Sequence, residues 1–106
     1  MEVECLNNCT LPKGSTAAFH FFTNLTVKSV DIYRSCPGRA EEKIFITGDV
    51  YGSRYDLYEV KEINSNEGVL RVKNANESCN YTFVDDHSRG GEASKELKIY
   101  HPPTTI

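Results

Sequence analysis

Short runs of Val, Ile, Phe, Tyr and Thr, each cut off by Gly, Pro, Asn or Asp, recur along the whole chain. No window of helical length keeps an apolar period of 3.6 residues. This pattern limits the chain to an all-β fold. Strands are expected over 3–6, 16–27, 30–35, 43–47, 55–63, 69–73, 81–84 and 96–100. Pro12 and Gly14 break the chain between the first two, and Pro37-Gly38, Gly48-Asp49, Gly52-Ser53 and the polar run 64–68 punctuate the rest. Eight or nine short strands at this spacing indicate a sandwich or a small barrel.

The length of 106 residues suits one domain with one core, here placed at 1–101. In His101-Pro102-Pro103-Thr104-Thr105 the prolines have no N–H to give to a ladder. Residues 102–106 therefore read as a hinge toward a following domain.

Charge and composition exclude several functions. The net charge is −3, from 12 basic and 15 acidic side chains scattered along the chain. Nucleic-acid binding needs clustered Lys and Arg to displace counterions, and no such cluster is present. No run approaches the roughly 20 apolar residues that span a bilayer, and Met1-Glu2-Val3-Glu4 is not a signal peptide. Asn-x-Ser/Thr acceptor sites occur at Asn8, Asn24, Asn76 and Asn80. Four in one short chain point to a secreted or cell-surface history. The expectation is an extracellular piece of a single-pass membrane protein, or a secreted one.

The four cysteines, Cys5, Cys9, Cys36 and Cys79, then make two disulfides, with three connectivities open. A domain this small gains from crosslinks. Zinc is the competing use, but no C-x2-C pair occurs and the spacings of 4, 27 and 43 fit no compact knuckle. Catalysis has little support. His20, His87 and His101 fall in a strand, a loop and the tail, without a nucleophile and an orienting group beside them. Adjacent Asp85 and Asp86 point to opposite faces of a strand, which suits a solvated loop better than a calcium site. Gly90-Gly91 is a hairpin signal. No cofactor and no metal are expected.

Three segments in order resemble the V-set of the immunoglobulin superfamily. Residues 30–38, Val-Asp-Ile-Tyr-Arg-Ser-Cys-Pro-Gly, resemble the family's strand C and the turn after it. Leu70-Arg71-Val72 followed by Glu77-Ser78-Cys79-Asn80-Tyr81-Thr82-Phe83 resembles strands E and F. Leu11-Pro12-Lys13-Gly14-Ser15-Thr16 with the 19–22 run resembles the entry into strand B. The resemblance implies an antiparallel V-type β-sandwich of two packed sheets.

Its departures are specific. Ile32 stands where the core tryptophan belongs, Phe83 where the strand F cysteine belongs, and Phe21 near that cysteine's partner. An apolar Phe21–Phe83 contact is expected to fill the space of the missing inter-sheet disulfide. Tyr81 matches the tyrosine corner, whose hydroxyl bonds to upstream backbone, and Arg54 and Glu77 match a pair that usually forms an ion bridge. The resemblance also brings the turns of Cys36 and Cys79 to one end of the sandwich, which implies Cys36–Cys79 and leaves Cys5–Cys9 as a small N-terminal loop.

The family implies recognition through the sheet of strands G, F, C and C'. Strand alternation would then put Tyr33, Thr82 and Val84 outward, with Lys43 and Phe45 across from them; the competing reading makes Phe45 core. A glycan at Asn80 would shield the lower edge of this face and leave its centre open. The function implied is a cell-surface recognition or adhesion receptor domain that binds another protein, including a copy of itself on an opposing cell. Without the core tryptophan and both sheet cysteines, the chain resembles the divergent N-terminal domains of invertebrate allorecognition receptors. The alternative is a secreted viral or host decoy that binds an immune ligand.

Overall fold

In a computed structural model, the described residues are 1–46, 49–50, 56–85 and 91–103. Arg54 and His87 lie outside them, and with Arg54 the expected Arg54–Glu77 pair. Among the described residues there are ten strands and no α-helix. The strands are β1 (Glu2–Cys5), β2 (Thr10–Pro12), β3 (Ala17–Phe22), β4 (Val30–Ser35), β5 (Glu42–Ile46), β6 (Asp49–Val50), β7 (Tyr58–Asn64), β8 (Glu67–Val72), β9 (Cys79–Asp85) and β10 (Glu92–Tyr100). They form two sheets, β1-β3-β8-β7 and β2-β10-β9-β4-β5-β6.

Two expectations need correction. The run 16–27 is not one strand: β3 ends at Phe22, and a 3-10 turn at Val27–Ser29 leads into β4. Thr23 stops the strand by turning its hydroxyl to the Leu25 N–H, 3.0 Å away, a local bond that competes with ladder pairing. The second correction is at Pro12, read as a break, which instead ends β2, paired parallel with β10. Proline is tolerated there because β2 lies at the sheet margin, where no further strand needs its missing donor.

The chain therefore crosses between sheets in its first twelve residues, from β1 in the smaller to β2 in the larger. The Cys5–Cys9 disulfide closes the crossing, and the Lys98 N–H donates to the Cys9 carbonyl at 2.7 Å.

The core lies between the sheets. Alternation sends Ala17, Phe19 and Phe21 of β3 inward against Tyr81 and Phe83 of β9, with Ile32, Leu70 and Leu97 around them. The ring centroids of Phe21 and Phe83 are 5.2 Å apart, and those of Phe19 and Tyr81 5.0 Å. Tilted pairs at such spacings are worth about 0.5 to 1.5 kcal/mol beyond the area they bury. Gly68, which pairs with Phe21 across the ladder, leaves the ring its space. A Cβ on Gly68 would come within 2.6 Å of the ring tip.

Cys36 is bonded to Cys79. The two residues adjoin β4 and β9, neighbours in the same sheet. This covalent link therefore holds strands together and not the two sheets. Between the sheets stand the rings and, at the opposite end, a hydrogen bond from the Thr23 hydroxyl to the carboxylate of Asp85, which ends β9 and is buried instead of lying in a solvated loop as expected.

Candidate recognition face

Tyr33, Thr82 and Lys43 owe their positions to the ladder registers of the larger sheet. Tyr33 pairs with Thr82 on one side and with Lys43 on the other, and Thr82 pairs with Ser94. Paired residues share a face, so Ser94, Thr82, Tyr33 and Lys43 form one row across four strands on the side away from the core. The Thr82 and Ser94 hydroxyls are 2.9 Å apart. Thr82 and Tyr33 are half-buried, and Ser94 and Lys43 exposed.

One row nearer the Cys36–Cys79 end run Glu96, Asn80 and Ser35. One row the other way run Glu92, Val84 and Asp31.

Two residues expected on the accessible surface are not there. Phe45 is buried in the core. Its strand carries a bulge opposite Ile32 and Tyr33: Ile32 pairs with Phe45, while Tyr33 pairs with Lys43. Ile44 is the extra residue, and both Ile44 and Phe45 are buried. A bulge of this kind shifts the alternation by one and turns an outward position inward. Val84 is a different case. Its parity is outward, beside Asp31, yet Val84 is only 1 % exposed and Asp31 0 %. The accessible face therefore begins at the Tyr33 row and extends toward Asn80.

Sequence reasoning missed Ser94, Ser35 and Glu96 as members of this face. The signals that could have found them are the polar alternation of Ser94, Glu96 and Lys98 around apolar Leu97 and Ile99 in β10, and for Ser35 its spacing of two from Tyr33 in β4.

The buried side of the same strands holds an ionic cluster. Arg34, two residues before Cys36, pairs with Glu42 and lies over the Tyr58 ring, 5.8 Å from its centroid. Burial works against the guanidinium charge, but Tyr58, Tyr81 and Glu42 more than offset it and hold Arg34 above the ordinary arginine value. Burial above all, and Tyr58 next to it, push the Tyr81 phenol upward, so it stays neutral. The Tyr81 hydroxyl meets the Arg34 guanidinium.

Arg34, Tyr58 and Tyr81 line a recess of about 130 Å³ under the turn before β9, with Asn76 and Glu77 at its rim. Glu77 there pairs with Arg39. Its cations are matched by carboxylates, so the recess stabilises the turn electrostatically.

Each sequon asparagine is exposed: Asn8 between β1 and β2, Asn24 after β3, Asn76 in the turn before β9, and Asn80 on the outward side of β9. His20 sits on the other sheet, its Nε2 3.0 Å from Glu67 and its Nδ1 3.5 Å from Glu4. Among the described residues, one group could hold a metal by proximity, Cys36, Glu77 and Cys79. Its two sulfurs are bonded to each other and are not available as thiolates. No described helix is long and apolar enough to cross a membrane. The two disulfides are compatible with an extracellular or secreted domain.

No protein-family model matches the chain, and no curated protein matches it.

Proposed function

We propose that this chain is a V-type immunoglobulin-like recognition domain of a cell-surface receptor, and that it binds a second copy of itself through the outward face of the larger sheet. The observation that carries the reading is the strand order. The first strand is split between two sheets, β2 runs parallel to β10, and two further strands, β5 and β6, extend the β10-β9-β4 sheet. A variable-type sandwich likewise adds two strands to that sheet.

Self-recognition follows from how charge is distributed on the face. At one margin β10 presents exposed Glu92 and Glu96 on either side of Ser94, Glu96 with Lys98 3.6 Å away; at the other β5 presents exposed Lys43. A two-fold axis running along the strands between β9 and β4 would set Thr82 over the partner's Tyr33 and Ser94 over the partner's Lys43. Each Lys43 then falls between two carboxylates, as a self-complementary interface requires. Tyr33 at the centre is the residue type that most often anchors such contacts.

The test is aggregation of beads that display the domain. Tyr33→Asp should abolish aggregation while the melting temperature holds, because a desolvated unpaired charge costs more than any contact it replaces. Charge reversal at Lys98, outside the central rows, should weaken aggregation only modestly. A folded Tyr33→Asp domain that still aggregates beads would overturn the assignment.

A further inference from the structure

We propose that glycosylation of Asn80 closes the recognition face, so that occupancy of this one sequon decides whether the domain can dock on a second copy. The inference rests on the reading of the larger sheet's outward side as the docking surface.

Asn80 is an acceptor by sequence, Asn80-Tyr81-Thr82, and its third residue is Thr82 of the central row. The strand is fixed by the inward burial of Cys79, Tyr81 and Phe83, which leaves Asn80 pointing outward and exposed between Ser35 and Glu96. Residues two apart on a strand are about 7 Å apart and neighbouring strands about 4.8 Å. Asn80 is thus roughly 7 Å from Thr82 and about 8 Å from Tyr33 by those spacings.

A stable interface takes about 800 Å² from each partner, a patch roughly 28 Å across. Any such patch centred on Tyr33 and Thr82 includes Asn80. Two sheets packed face to face stand about 10 Å apart, which leaves no room for a branched glycan rooted inside the contact. The footprint cannot slide away either. In the opposite direction, one row on, Asp31 and Val84 are buried and only Glu92 is exposed for contact.

A two-fold axis along the strands makes the conflict worse, since it keeps both copies' Asn80 in the same row and brings two glycans into one interface. A glycan at Asn80 therefore does not merely shield an edge, as the sequence alone suggests. Asn76 lies in the turn between β8 and β9, so a glycan there projects from the sandwich end and leaves the face open.

The experiment uses the 106-residue chain secreted from glycosylating cells, with glycopeptide mass spectrometry to score occupancy and sedimentation equilibrium to score self-association. The forms compared are the unaltered chain, Asn80→Gln, Asn76→Gln and the double variant Tyr33→Asp/Asn80→Gln. With Asn80 occupied, Asn80→Gln should strengthen self-association at least about tenfold, a change of 1.4 kcal/mol or more, and Asn76→Gln should change it less than about twofold, within 0.4 kcal/mol. The double variant should not associate.

Equal association with and without the Asn80 glycan, lost again in the double variant, would overturn the gate and leave the docking face standing. Association that persists in the double variant would overturn the docking face itself. An unmodified Asn80 in the secreted chain would overturn the gate, and no association in any form would overturn both.

Discussion

The domain is tied together in two regions by two kinds of link. At the end of the larger sheet, Cys36–Cys79 joins β4 to β9, neighbours that already share a ladder. In the middle of the sandwich, Phe21 and Phe83 join β3 to β9 by contact alone. The covalent bond acts on the unfolded chain. It closes a separation of 43 residues, for which loop-closure entropy gives about 4 kcal/mol, against about 2 for the short Cys5–Cys9 loop. The ring pair acts on the folded chain, by removing apolar surface from water and filling the space between sheets. The lesson is that large side chains can hold two sheets together without a crosslink between them, while a disulfide within one sheet acts on chain entropy.

The largest effect that could break this comparison is expected at the centre. Phe83→Ala should lower stability by about 3 to 5 kcal/mol in chemical denaturation, because the truncated ring leaves a cavity among Phe19, Phe21 and Ile32 that rigid sheets cannot collapse. Since a small domain has only about 5 to 15 kcal/mol in all, the variant is best measured at low temperature. A loss below about 1 kcal/mol, the size of a tolerated volume-conserving swap, would mean the rings do not hold the sheets.

Next comes the covalent link. Replacing Cys36 and Cys79 together by Ser should lower stability by about 2 to 4 kcal/mol while leaving the denaturant midpoint of Phe83→Ala relative to its parent little changed, since chain entropy and ring packing act on different states. Strong coupling between the two changes would show that the disulfide also positions β9 for the rings.

The smallest effect lies on the other sheet and depends on pH. The Glu67 carboxyl is held below the ordinary glutamate value first by the Asn64 amide and then by His20, at 3.1 and 3.0 Å. A carboxyl that is more acidic in the folded than in the unfolded chain stabilises the fold above its unfolded value, about 4.3, and loses that contribution as pH falls through the folded one. The melting-temperature gap between the domain and Glu67→Gln should therefore be present at pH 7 and close as pH drops below about 4. A gap that persists unchanged at pH 3 would assign the difference to packing.

Much of the architecture is legible in the residues, and the exceptions have local causes. The 3-10 turn before the strand 30–35 begins inside the run 16–27 and is hidden by it, but the strand itself can be read because its apolar run is ended by Pro37-Gly38. There Gly38, at φ 77°, and the Arg39 N–H donating to the Cys36 carbonyl at 3.2 Å complete a type II turn. The short pairings of β2 and β6 have no periodicity of their own, being three and two residues long, and exist because β10 and β5 offer them a margin. Phe45 is misplaced by alternation because the bulge that admits Ile44 is a property of two strands in register, invisible in either one. Val84 follows the alternation and is still inaccessible, since burial on the outward side depends on what lies over the sheet and not on the strand's own pattern. Tyr33, Lys43 and Thr82 could be placed outward because their parity is set by the core residues beside them, Ile32, Tyr81 and Phe83.

The most direct test of the recognition face is the concentration dependence of backbone amide chemical shifts in the refolded, unglycosylated domain. Self-docking through the larger sheet predicts that shifts grow with concentration at Tyr33, Thr82, Ser94 and Lys43, and stay fixed on the opposite sheet at Ala18, His20 and Val69. Shifts confined to the opposite sheet or to the sandwich ends, or none up to millimolar concentration, which would mean a binding free energy weaker than about −4 kcal/mol, would contradict it.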